Sequence, residues 1–276
     1  MKLRDLRSVR RLNNNVAMPV LGLGTWRIPD GRPVRAAVHH ALLAGYRHID
    51  TAAVYKNEKG VGEALRDSGL GRDEVFITTK LWNSDQGYDT ALAAFDASCA
   101  RLGVDGVDAY LVHWPEPGKR RESWKALERL YREGRVRAIG VSNYTIRHLE
   151  ELLETCEIEP AVNQVECSPF LAQPELRAFC RARRIQVVAY SPLTRGAKLG
   201  DPVLVEIART HRRTPAQILI RWALQHDLVV VPKSADPGRI RENAAVFDFR
   251  LGPGEMARLD ALDEGFRIAW DPSRIP

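Results

Sequence analysis

No stretch of this sequence approaches the ~18 consecutive apolar residues of a membrane-spanning helix, which excludes a helical anchor within it. The opening segment, Met1 to Arg11, is basic and carries no apolar core of the kind a secretory signal needs. Asp5 argues against an organelle transit peptide, so a flexible lead-in is expected there. Cysteine is sparse: Cys99, Cys156, Cys167 and Cys180 show no CxxC spacing, which excludes a CxxC redox motif. Reduced thiols of a cytoplasmic protein are expected. No HExxH and no paired Cys/His ligand set occurs, so no metal is expected. Like charges are not gathered in blocks and no nucleic-acid motif is present, which argues against a nucleic-acid partner. A GxGxxG turn is also missing: Gly22-Leu23-Gly24 lacks the third glycine and the following helix of an open dinucleotide-binding sheet.

What is present is an ordinary globular composition over 276 residues, 45% hydrophobic and 28% charged, enough for a substantial core. The net charge of +6 is compatible with an anionic ligand and equally with a merely soluble surface.

The pattern along the chain is a repeated strand and helix. Arg7 to Val20 reads as a hairpin, with Asn13, Asn14 and Asn15 able to supply left-handed turn residues. Val20 to Trp26 is the first strand, its glycines marking close backbone approach. Further strands are expected at His48–Ala52, Val75–Leu81, Val107–Trp114, Val136–Ser142, Ala161–Cys167, Ile185–Tyr190 and Leu228–Pro232. The intervening helices run over Val34–Ala44, Glu58–Asp67, Asp89–Leu102, Arg121–Arg132, Thr145–Thr155, Pro174–Arg183, Val203–Thr210 and Pro215–Gln225, with Pro237–Ala245 and Gly254–Leu262 closing the chain. The strands are near-continuous apolar runs, as in a parallel sheet covered on both faces. Eight such repeats in about 250 residues predict a single (β/α)8 TIM barrel domain with the hairpin capping its bottom.

In a barrel the chemistry sits where strands end. Asp50 interrupts an apolar run, and a buried carboxylate needs a cation or neutralisation. Lys80, at the end of the third strand, supplies that cation. Tyr55 follows just past the second strand, and a phenol used as an acid needs a nearby positive charge, which is expected to lower its pKa. His113 ends the fourth strand and can donate to the same substrate oxygen. Each residue alone reads as packing or a structural pair. Four compatible groups on three successive strand ends read as a proton-transfer site. Trp26, Trp82 and Trp114 end strands one, three and four and suit an apolar substrate wall beside His113. Lys233 and Arg239, at the start of a late helix, suit a phosphate or simply a solvated helix end.

The motifs Gly45-Tyr46-Arg47-His48-Ile49-Asp50-Thr51-Ala52, Tyr55, Asn57-Glu58, Ile77-Thr78-Thr79-Lys80-Leu81-Trp82 and Leu111-Val112-His113-Trp114-Pro115 together resemble the aldo-keto reductase family. The likeness runs from about Leu12 to Leu262 and is closest in character to the bacterial 2,5-diketo-D-gluconate reductase type. The resemblance implies a barrel oxidoreductase that reduces carbonyls with NADPH. Asp50, Tyr55, Lys80 and His113 would form the catalytic set, with Tyr55 as the acid. It implies that Lys233, Ser234 and Arg239 hold the 2′-phosphate and that Glu242 and Asn243 contact the adenine. Ser142, Asn143 and Gln164 would hold the carboxamide, and Tyr190 would stack on the nicotinamide. Ser191, Pro192 and Leu193 would follow the pyrophosphate, and Gly24, Thr25, Trp26 and Asp50 complete the cofactor side. A small-molecule carbonyl substrate and a monomeric chain are expected. After Leu262 only Asp263 to Pro276 remains, a short tail that predicts an open site, with Trp270 the tail residue placed to reach the pocket. Competing readings are an aldolase using Lys80 or Lys233 as a Schiff-base nucleophile and a non-catalytic cofactor sensor on the same fold.

Overall fold

The computed structural model describes residues 4–276. Its centre is a sheet of eight parallel strands: β3 (Leu23–Gly24), β4 (His48–Asp50), β5 (Phe76–Leu81), β6 (Val107–Val112), β7 (Val136–Ser142), β8 (Val162–Glu166), β9 (Gln186–Tyr190) and β10 (Val229–Val231), each paired with the next in chain order. Parallel bridges Leu21↔Val230 and Gly24↔Lys233 join the last strand to the first and close the barrel. The first strand is shorter than expected. Gly22 lies where any Cβ would meet the His48 ring at 2.6 Å, and the backbone there continues by single bonds, Gly22 N to Val230 O and Gly24 N to Pro232 O.

Successive side chains of a strand point to opposite faces, and this alternation divides the apolar runs into two cores. Phe76, Ala109, Leu111, Ala138, Val162, Val188, Val229 and Val231 belong to a cluster enclosed by the strands. The alternate positions, Ile77, Leu81, Tyr110, Val112, Ile139, Val141, Val165, Val187 and Val230, pack instead with the surrounding helices. Those helices are α1 (Arg32–Leu43), α2 (Glu58–Asp67), α3 (Tyr88–Leu102), α4 (Arg120–Arg132), α5 (Ile146–Leu153), α6 (Pro174–Ala182), α7 (Pro202–His211), α8 (Pro215–Gln225), α9 (Pro237–Ala244) and α10 (Pro253–Asp260). Thr214 caps α8 and Asp236 caps α9 by accepting backbone N–H groups of the first turn.

The hairpin β1 (Val9–Arg11) and β2 (Ala17–Pro19) inserts Leu12 and Met18 into the enclosed cluster. Asn13 and Asn14 donate to the carbonyls of Pro160 and Arg137, beside the starts of β8 and β7, so the hairpin covers the N-terminal end of the barrel. Of the three asparagines only Asn15 takes a left-handed conformation, at φ 67°. The expected flexible lead-in is corrected in part. Positions 1–3 lie outside the described residues, but Leu6 packs on the core and Arg10 pairs with Asp227 at 2.5 Å.

Candidate active site

The alternation that fills the barrel's lower half with hydrophobes delivers polar groups at its upper end. Lys80, Ser142, Gln164, Glu166 and Tyr190 each stand an even number of residues beyond a residue of their own strand that faces inward. Asp50 stands two beyond His48, whose ring meets inward-facing Phe76, and the same parity carries past β6 to His113. They converge above the apolar floor.

Lys80 is fully buried and Asp50 is 3% exposed. The ammonium donates to Asp50 Oδ1 at 2.7 Å and to the Thr51 carbonyl at 2.8 Å. Asp50 Oδ2 accepts from Gln164 Nε2 at 2.7 Å. Both carboxylate oxygens are therefore satisfied, as a buried ion pair requires. Burial pushes the Lys80 pKa down, and the adjacent carboxylate opposes that shift.

Tyr55 stands on a short 3-10 turn, Ala53–Tyr55, above this pair. Lys80 Nζ lies 5.1 Å from the centre of its ring. Among the described residues Lys80 donates no hydrogen bond to the Tyr55 hydroxyl. Burial, and then the Asp50 charge, hold the phenol well above its ordinary value. The expected lowering by Lys80 is thus corrected for the resting site, because the ammonium is already engaged by Asp50 and Thr51. The phenol keeps its proton at neutral pH.

The His113 ring meets Tyr55 edge-on at 5.8 Å and Trp82 at 5.3 Å. Burial and the Lys80 charge hold its pKa well below normal, so the imidazole is neutral. Among the described residues its buried Nδ1 has no partner, which favours the tautomer with the proton on Nε2. Asn143 fixes the backbone here by donating to the His113 carbonyl at 3.0 Å.

A cavity of about 860 Å³ opens over these groups. Gly24, Trp26, Asp50, Tyr55, Trp82, His113 and Trp114 line it, as do Ser142, Asn143, Gln164, Tyr190, Ser191, Pro192, Leu193, Lys233, Ser234, Arg239, Glu242 and Asn243. Two expected residues do not. Lys80 lies beneath the floor, and Thr25 is fully buried with its hydroxyl donated to the Asp50 carbonyl at 3.0 Å. The Tyr190 hydroxyl donates to Asn143 Oδ1 at 2.8 Å, which fixes its ring. Lys233 and Arg239 form a pair of cations whose mutual repulsion adds to burial in lowering the Lys233 pKa. The acid nearest Arg239, Asp236, stands 3.9 Å away, so this end of the cavity suits an anion.

Several lining residues had no assignment in the sequence. The Arg27 and Arg195 guanidinium groups each lie over the Trp26 ring, 4.4 and 4.3 Å from its centre. The tail also departs from expectation. Ile268, Ala269 and Trp270 line the cavity, and Trp270 meets Trp114 at 5.5 Å, so the mouth is partly covered rather than open. Glu166 is the anchor: Oε1 accepts from Ile268 N and Oε2 from Ala269 N, both at 2.9 Å. The clue available in the sequence was a carboxylate in an apolar strand, the same clue that singles out Asp50.

Fold and site together define a barrel whose cavity is lined by a tyrosine, a histidine and the carboxylate of a buried ion pair, and also by the cations Lys233 and Arg239. A family model described as "Aldo/keto reductase family" matches residues 20–264. The 9,11-endoperoxide prostaglandin H2 reductase of Trypanosoma cruzi is 52% identical over 267 residues, 96% of this chain and 94% of that protein. The glyoxal reductase of Bacillus subtilis is 48% identical, covering 98% of both. The crystal structure of a Bombyx mori aldo-keto reductase in complex with NADP superposes with a TM-score of 0.88 at 35% identity, covering 94% of each chain. The chain belongs to the aldo/keto reductase family and is an oxidoreductase. No helix among the described residues is long and apolar enough to cross a membrane.

Proposed function

We propose that this protein reduces aldehydes and ketones to alcohols with NADPH, with Tyr55 as the proton donor. The observation that carries the reading is the buried Asp50–Lys80 pair at 2.7 Å, beneath Tyr55 and beside His113 on one cavity floor. The name of the glyoxal reductase among the relatives and the NADP-bound structural neighbour support it.

When bound, the reduced nicotinamide supplies the hydride. The chain's own groups handle the oxygen. Neutral His113 donates its Nε2 proton as a hydrogen bond and orients the carbonyl. As the oxygen gains charge it becomes an alkoxide, a stronger base than a phenolate. Tyr55 therefore gives up its proton although its resting pKa is high. The phenolate left behind faces the Lys80 ammonium across 5.1 Å to the ring centre, and solvent returns the proton. Lys233, Ser234 and Arg239 suit the 2′-phosphate, Glu242 and Asn243 the adenine, and Tyr190 a flat ring above Asn143.

The Schiff-base alternative is disfavoured at Lys80, whose ammonium is fully buried and held by two acceptors. NADPH consumption with small aldehydes and ketoacids tests the reading. Tyr55→Phe is expected to lower turnover by about 100-fold or more while NADPH still binds, since a positioned acid contributes that much. Full activity of the variant would refute the assignment.

A further inference from the structure

Glu166 has no part in the proton transfer described above. It is 2% exposed, forms no salt bridge among the described residues, and spends both carboxylate oxygens on two consecutive backbone amides of the tail. An enclosed carboxylate without a direct ion pair is costly, so a position at the rim of the site calls for a task. Its own backbone is fixed as well: Gln173 Nε2 donates to the Glu166 carbonyl at 2.6 Å, and Glu166 pairs in register with Tyr190.

The residue after the two clamped amides is Trp270. The residue is 68% exposed, yet its ring leans on buried Trp114 at a tilt of 49°. Beyond it the tail is anchored again on the far side. The Ile275 carbonyl accepts from His148 Nε2 at 3.1 Å, and the Pro276 carbonyl accepts from Arg120 at 2.8 Å. Trp270 is thus held at the mouth between two fixed points, and Glu166 is the nearer.

We propose that Glu166 is a positioning residue for substrate selection: by clamping Ile268 and Ala269 it sets Trp270 against Trp114 as a wall for carbonyl compounds bearing a flat apolar group, such as aromatic aldehydes. The inference rests on the carbonyl-reductase reading. Trp270 adds an aromatic face to the cavity that Trp82 and His113 also line, and the clamp fixes its distance.

The test uses the full chain with NADPH and two substrates, 2-naphthaldehyde and methylglyoxal. Trp270→Ala and Glu166→Gln are each expected to raise KM for the naphthaldehyde about threefold to tenfold more than for methylglyoxal, the scale of one aromatic pair. Because Glu166 acts through Trp270, the double variant is expected to shift the KM ratio no further than Trp270→Ala alone. Equal shifts for both substrates, or additive effects in the double variant, would overturn the proposal. Trp270→Ala removes an exposed side chain and keeps the barrel intact, so absence of a KM split in that variant overturns it even if Glu166→Gln fails to fold. Failure of the wild type to reduce either substrate would instead defeat the carbonyl-reductase reading itself.

Discussion

Replacing Lys80 with methionine probes the pair on which the site is built. Methionine matches the length of the lysine stem but carries no charge. It would leave the Asp50 carboxylate, 3% exposed, with Gln164 Nε2 as its side-chain partner, and would strip the Thr51 carbonyl of its donor. Breaking a buried pair from one side costs about 3–5 kcal/mol. In a domain of this size each kcal/mol moves the unfolding midpoint by about 2–4 °C, so a fall on the order of 10 °C is expected. Circular dichroism during thermal and urea unfolding measures it. The double variant Asp50→Asn/Lys80→Met buries no charge and keeps an acceptor for Gln164, so it is expected to regain most of the loss. Both variants should remain at least about 100-fold less active in NADPH consumption, since proton transfer loses its electrostatic support. A single variant whose midpoint stays within about 2 °C of wild type, or a double variant no more stable than the single, would refute this account of the pair.

Arg239→Ala removes a guanidinium from the cationic end of the cavity, and a charge-assisted hydrogen bond of about 1.5–3 kcal/mol should weaken NADPH by about tenfold to a hundredfold while NADH changes little. Equal losses in titrations of both cofactors would remove the phosphate assignment. His48 is wholly buried against Thr78, and burial lowers its pKa from 6.5 to about 4. The unfolded chain then takes up a proton from pH 6.5 downward while the folded chain does not until about pH 4. Stability from this group is therefore intact above pH 6.5 and declines towards pH 4, by about 3 kcal/mol in all. Urea midpoints across that range should fall less steeply in His48→Gln; identical slopes would show that His48 is not the group responsible.

The barrel was readable because eight apolar runs alternate with helical periods, and their ends moved by only a residue or two in most elements. The first strand was overestimated because its backbone, pressed against His48 and Val231 at Gly22 and Gly24, meets the last strand only by isolated bridges and single bonds. Asp50, Lys80 and His113 announced themselves as polar residues in apolar surroundings. Glu166 gave the same signal within Val162-Asn163-Gln164-Val165-Glu166-Cys167, but its partners are backbone amides some hundred residues away, which no side-chain pattern encodes. The resting state of Tyr55 was misjudged because sequence gives the presence of a cation and not how fully its hydrogen bonds are already used.

One consequence of the strand alternation concerns how such a chain can change over generations. Lys80 belongs to the lumen, and its neighbours Thr79 and Leu81 belong to the helical shell. An added or lost codon inside β5 would exchange the two sets, sending the ammonium among hydrophobes and a leucine to the rim. Substitutions can reshape the lumen one side chain at a time, whereas insertions and deletions are confined to the stretches beyond the strand ends, where no parity is at stake. Novelty in this scaffold is accordingly directed to its rim.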